Sequence, residues 1–206
     1  LAWLLCEMGL VASLVRQSRI VSDDDEWTVL VAQMAQTAVV VAAVVALAPM
    51  LVGLYELPPA AAWCLVAAAC GHFLSSLRAI PYMRLQRDLR FGTLAGMELL
   101  EHMVLTTATI ALAYQGLGYW ALVGGVLCRN IAGLAYVWAV SPYRPRGRFR
   151  WTVLRELAPY ALPFQATEIA LVVVGGWMPL IVGRLQGTDA LGLVNWALGL
   201  ATVPML

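Results

Sequence analysis

Seven apolar stretches, most of them close to twenty residues long, are joined by corners too short to fold as domains of their own. A bilayer core about 30 Å thick is crossed by about 20 apolar residues at a helical rise of about 1.5 Å each. The pattern therefore predicts an all-α chain, a polytopic bundle of transmembrane helices. The expected spans cover about 1–15, 27–55, 59–80 (with a polar extension past Pro81), 94–114, 119–140, 163–185 and 190–206, the outermost two cut by the chain ends. Composition agrees: 62% of the 206 residues are hydrophobic, against roughly 45–50% in soluble domains. The net charge of +1 gives no ground for a nucleic-acid partner.

The chain opens at Leu1 inside an apolar run that holds Glu7, with no charged leader and no cleavage site, and so does not read as a signal peptide. Its last run stops at Leu206 without a cap, and the whole reads as an internal piece of a longer transporter-sized protein. Cys6, Cys64, Cys70 and Cys128 lie in apolar runs without paired spacing or neighbouring ligands, which predicts packing roles, with no metal and no cofactor.

Arginine sets the orientation, because short cytoplasmic loops collect basic residues. Arg16 and Arg19 follow the first span, Arg78, Arg84, Arg87 and Arg90 follow the third, and Arg144, Arg146, Arg148, Arg150 and Arg155 follow the fifth. The intervening corners carry none, apart from Arg184 near the last. Alternate loops are thus basic, as seven spans require, and an inner (cytoplasmic) membrane location with several passes is expected. Trp27, Tyr82, Trp138 and Tyr143 would mark the inner interface, and Tyr55, Tyr114, Tyr119 and Trp120 the outer. Asp23, Asp24, Asp25 and Glu26 read as an acidic first turn capping the second span. Trp151, Leu154 and Leu157 share a helical face and predict a short helix lying in the interface.

Ionisable residues at bilayer depth cost roughly 2.5–3.5 kcal/mol each on insertion scales, so each should face a partner or a wet cavity. Glu7, His72, Glu98, Glu101, His102, Arg129 and Glu168 qualify. Glu98, Glu101, His102 and Leu105 follow i, i+3, i+4, i+7 spacing and are expected on one helix face, while Gly125, Arg129 and Gly133 share a face of the next helix. Folding this hairpin at Gly116 and Gly118 brings Arg129 within roughly 4 Å in height of Glu101. Two readings stand side by side: a buried staple that glycines let close, or a guanidinium with room to bind phosphate.

Several motifs resemble one family. The segment Leu85-Gln86-Arg87-Asp88-Leu89-Arg90-Phe91 resembles the motif after the fourth helix of the Wzx-type polysaccharide flippases, of the MOP (multidrug, oligosaccharidyl-lipid, polysaccharide; MATE-like) exporter superfamily. Gly116-Leu117-Gly118-Tyr119-Trp120 resembles its fifth-to-sixth helix corner, Arg144-Pro145-Arg146-Gly147-Arg148-Phe149 its interlobe linker, and Ile181-Val182-Gly183-Arg184-Leu185-Gln186-Gly187 the join of its seventh and eighth helices. The resemblance implies that the spans are the family's second to eighth helices. Residues 1–141 would then belong to the N-terminal lobe without its first helix, 142–160 to a cytoplasmic linker with the interfacial helix, and 161–206 to the start of a C-terminal lobe. One departure is clear. Members often carry an acidic residue about five positions before that last Gly-Arg, whereas Gly175-Gly176-Trp177-Met178-Pro179 has none, which leaves cation coupling through this helix without its usual carboxylate. Pro179 after the glycine pair predicts a kink or break.

By that resemblance the expected function is alternating-access export of a polyprenyl-diphosphate-linked glycan, with the bilayer and polysaccharide assembly proteins as partners and no enzymatic step. Arg129 would hold the head group, Arg16, Arg78, Arg84, Arg87 and Arg90 would line its cytoplasmic entrance, and Glu7, Glu98, Glu101, His102 and Glu168 would line or gate the path. Other expectations are a cation-coupled multidrug antiporter on the same fold, or a membrane glycan polymerase or ligase, for which the chain offers no long catalytic loop.

Overall fold

The computed structural model describes residues 9–16, 21–54, 58–141 and 143–202, which contain helices and no strand. The helices are α1 (Gly9–Arg16), α2 (Asp23–Leu54), α3 (Ala60–Ser76), α4 (Ala79–Arg87), α5 (Phe91–Tyr114), α6 (Trp120–Val140), α7 (Trp151–Leu185) and α8 (Gly187–Thr202). They form a polytopic helical bundle. α6 packs between α5 and α3, α2 lies on α3, and α1 and α8 both pack on α7.

By length and composition, α2, α6 and the Trp151–Gly175 part of α7 can cross a membrane, and α3 with α4 make a fourth span if counted as one bent helix. Of the other expected spans, only eight residues of the first are described, as α1. α5 is long enough at 24 residues, but Glu98, Glu101 and His102 lower its apolar content. α8 is described over 16 residues, fewer than a full span needs.

α2 begins with a reciprocal cap. The Asp25 amide donates to Ser22 Oγ at 3.3 Å, and the Ser22 amide donates to the Asp25 carboxylate at 3.1 Å, which satisfies two donors that a helix start leaves open. The helix then runs 32 residues, about 48 Å at the helical rise and well beyond the hydrocarbon core. A helix of that length can cross the core with its acidic first turn outside it.

The third expected span breaks earlier than Pro81. α3 and α4 meet at 45° across Leu77 and Arg78, and Pro81 sits in the first turn of α4, where its missing N–H removes no bond the helix would make. The Leu77 carbonyl, four residues before Pro81, instead accepts from Trp138 Nε1 of α6 at 3.3 Å. Trp138→Phe should leave that half-buried carbonyl unmatched and destabilise the fold by about 1 kcal/mol. A lowered melting temperature would show it, and an unchanged one would refute it.

α7 also differs from expectation. The interfacial helix and the sixth span are one 35-residue helix, helical through Pro159, Pro163 and Pro179. Its inward face in the first turns is Val153, Leu157 and Ala161, while Trp151 is exposed. These residues join Leu10, Leu14, Val29, Leu30, Ile80, Met83 and Tyr143 in a core at one end of the bundle. Tyr143, expected in an aromatic belt, is thus a core residue, whereas Tyr114 and Tyr119 at the opposite end are exposed.

Candidate functional site

The site is built on the α5–α6 hairpin and closed by the break between α3 and α4. Gly116 and Gly118, both at positive φ, turn the corner. Gly125 then lets α6 press against α5, since a Cβ there would lie 3.2 Å from the Leu105 carbonyl oxygen. The buried line of α5 is Leu94, Met97 and Glu101, at i, i+3 and i+7. Glu101 stands about 15 Å along the helix from Phe91, a little short of the middle of α5.

Glu101 is 2% exposed and is shared by two arginines. One carboxylate oxygen accepts from Nη1 of Arg78, which projects inward from the α3–α4 break. The other accepts from Nε of Arg129 at 3.1 Å. Two guanidiniums facing one carboxylate leave this centre with one net positive charge. Gly133 makes the arrangement possible: any Cβ there would collide with the Glu101 carboxylate and lie 2.6 Å from Arg78 Nη1. Arg129 is engaged through Nε alone among the described residues, and its side chain remains 35% exposed.

Beside Arg129, Asn130 faces α3 and accepts from Ser75 Oγ at 3.1 Å. Asn130 is buried, and its Nδ2 has no hydrogen-bond partner among the described residues. It stands where a side chain on Gly71 would otherwise sit. His72, half-buried on α3, lies one turn away from Ser75.

A second cluster ties one end of the bundle together. Arg84 forks onto Glu26, with Nε to Oε1 at 2.8 Å and Nη2 to Oε2 at 2.6 Å, and its guanidinium carbon lies 4.9 Å from the centre of the Tyr143 ring. Arg87 Nη1 donates to the Leu14 carbonyl at 2.8 Å. The extended segment 143–150 is strapped to the start of α2: the Arg148 amide donates to Asp24 Oδ1 at 2.9 Å and the Arg150 amide to Thr28 Oγ1 at 3.0 Å. Burial pushes the Tyr143 hydroxyl up to about 12, with Glu26 adding to the rise and Arg84 working against it. The group therefore stays protonated at neutral pH. The acidic first turn of α2 is thus more than a cap, since it anchors Arg84 and the segment that enters α7.

Over residues 1–206 the chain matches the model of a family described as polysaccharide biosynthesis protein. The chain belongs to that family. No curated protein and no solved structure matches it.

In this polysaccharide biosynthesis protein the residues picked out in the sequence are distributed unevenly. The Glu101–Arg129 pair forms, with Arg78 as an unforeseen third member. Glu98 and His102 do not join it. Both are exposed, and His102 Nδ1 pairs only with the Glu98 carbonyl oxygen at 3.1 Å. The reason is angular: neighbours in sequence such as Glu101 and His102 stand 100° apart on a helix, so the face that buries Glu101 turns His102 outward. Arg84 and Arg87 are committed to bonds within the protein, whereas Arg90 is exposed. Glu168 is half-buried on α7, and its Oε2 has no hydrogen-bond partner among the described residues. Glu7 and the side chain of Arg16 lie outside what is described. Gly133 sits where its shared face with Arg129 predicted, and it is the glycine that lets the staple close. Sequence reasoning missed Asn130, the residue after Arg129 and a polar side chain inside an apolar run.

Proposed function

We propose that the protein is an alternating-access transporter that moves polyprenyl-diphosphate-linked glycan precursors across the cytoplasmic membrane, with no bond made or broken and no cofactor. Membership of a polysaccharide biosynthesis family supports the substrate class. The observation that carries the reading is the positively charged centre formed by Arg78, Glu101 and Arg129 inside the helix bundle. There Glu101 orients the Arg129 guanidinium through Nε and leaves its two Nη groups without a partner among the described residues. A planar guanidinium offered in this way suits a phosphate oxygen pair.

Arg78 gives the centre a second property. It holds one oxygen of Glu101 independently, so Arg129 can swing toward a phosphate without leaving a buried carboxylate uncompensated, which would cost several kcal/mol. The head group would enter from the end where Arg90 is exposed and the strap crosses α2. Rocking of the two sides of the bundle would then release it on the other face, while the lipid tail stays in the bilayer.

Arg129→Ala tests this in cells. Glu101 keeps its bond to Arg78, so the variant should reach the membrane at normal levels. Glycan export should fall by at least about ten-fold, the loss of one charge-assisted contact, and the lipid-linked precursor should accumulate. Export at the wild-type level would defeat the assignment.

A further inference from the structure

The strap that ties α6 to α7 carries a charge pattern that the site does not use. Arg144, Arg146, Arg148 and Arg150 alternate with Pro145, Gly147 and Phe149 along a backbone without helix or ladder partners. Successive side chains of an extended chain point to opposite sides. Gly147 presses on α2, where a Cβ would come within 2.8 Å of Trp27 Cβ, and this turns Arg146 and Arg148 away from the bundle. Arg144, Arg146, Arg148 and Arg150 are all exposed. Arg150 approaches Asp24 at 3.8 Å. The side chains of Arg144, Arg146 and Arg148 have no acidic partner among the described residues.

Two exposed aromatic side chains stand at the end of the strap. Phe149 is 47% exposed and Trp151 57%, with ring centres 6.4 Å apart. In water such a pair would be an unexplained apolar patch. Here the strap is covalently held between two helices able to cross a membrane, and so it lies at the level of the lipid head groups. Aromatic rings prefer that depth, and clustered arginines beside a spanning helix are attracted by an acidic leaflet.

We infer that residues 144–151 are a docking surface for anionic phospholipid head groups, with Arg144, Arg146 and Arg148 facing the phosphates and Phe149 and Trp151 set among the glycerol and upper acyl groups. The inference is independent of what the protein transports, because none of these residues belongs to the Glu101 centre. The lipid is the partner that the surface meets by construction, and its charge is opposite to that of the strap. The bonds from the Arg148 and Arg150 amides to α2 involve only the backbone on the strap side, so the Arg144, Arg146 and Arg148 guanidiniums can be replaced without cutting them.

Native mass spectrometry of the full-length protein released from nanodiscs of mixed phosphatidylglycerol and phosphatidylcholine tests this by counting the lipids retained. The wild type should keep phosphatidylglycerol in preference. Arg146→Gln should reduce that preference roughly five-fold, the effect of one basic residue at an acidic surface, and the triple variant Arg144→Gln, Arg146→Gln, Arg148→Gln should abolish it. A wild type without preference, or a triple variant that retains the full preference, would overturn the inference. Should the triple variant fail to insert, salt supplies the test on the wild type. Raising ionic strength from about 0.1 M to 1 M shortens the screening length from about 10 Å to about 3 Å and should erase the preference; persistence at high salt would overturn the inference equally.

Discussion

Glu101→Ala is expected to destabilise the protein by about 3 kcal/mol. The substitution leaves Arg78 and Arg129 facing each other inside the helix bundle without a counterion. Removing one partner of a buried pair costs about 3–5 kcal/mol, and the lower figure applies because the Arg129 side chain is 35% exposed and can turn toward water. For a chain of this length the melting midpoint should fall by roughly 10 °C. Glu101→Gln should fall between alanine and wild type, since its amide oxygen still accepts from one arginine while its NH2 group faces the other. Replacing Arg78 with leucine in the Glu101→Ala background should recover part of the loss by removing one of the two stranded charges. An unchanged melting midpoint for Glu101→Ala, measured in detergent by size exclusion after heating, would mean that the two arginines are satisfied elsewhere.

Gly147→Val is the second large effect expected, and it acts at the strap. A Cβ at position 147 would stand 2.5 Å from the Asp23 carbonyl oxygen and 2.8 Å from Trp27 Cβ. The first neighbour is backbone in the opening turn of a long helix and cannot move aside. The residue is also at φ +154, where a β-branched side chain adds strain. Overpacking and backbone strain each contribute about 1–3 kcal/mol, enough to lift the strap and break the bonds from the Arg148 and Arg150 amides. Trypsin reports this directly, because the freed segment is rich in arginine. Cleavage between residues 144 and 150 should accelerate by one to two orders of magnitude relative to wild type. Equal cleavage rates would show that the strap is not held by this contact.

The helices were legible because membrane burial writes itself into long apolar runs. The Glu101–Arg129 pair was legible too, because a hairpin turning at Gly116 and Gly118 fixes which residues of its two arms share a height. Arg78 was not. The third span was expected to run unbroken to residue 80, yet proline is tolerated in the first turn of a helix, and the break at Leu77 and Arg78 is what brings this arginine to the carboxylate. Spacing of i, i+3 and i+4 was also too coarse to place Glu98 and His102, because it spans an arc wider than the strip of α5 that α6 covers. The acidic turn of α2 was read correctly as a cap through Asp25. The anchoring by Asp24 and Glu26 links residues more than fifty positions apart, and no local pattern encodes such partners.

The centre at Glu101 is tested most directly in purified proteoliposomes that carry a fluorescent polyprenyl-diphosphate-linked sugar, with a membrane-impermeant reductant added outside to report how fast the lipid changes leaflet. Wild-type protein should move the lipid across the bilayer, and Arg129→Ala, reconstituted at the same density, should slow it by at least about ten-fold. Arg129→Lys should recover only part of the rate, because an ammonium keeps the charge but loses the planar fork. Movement in the Arg129→Ala proteoliposomes at the wild-type rate would contradict the account.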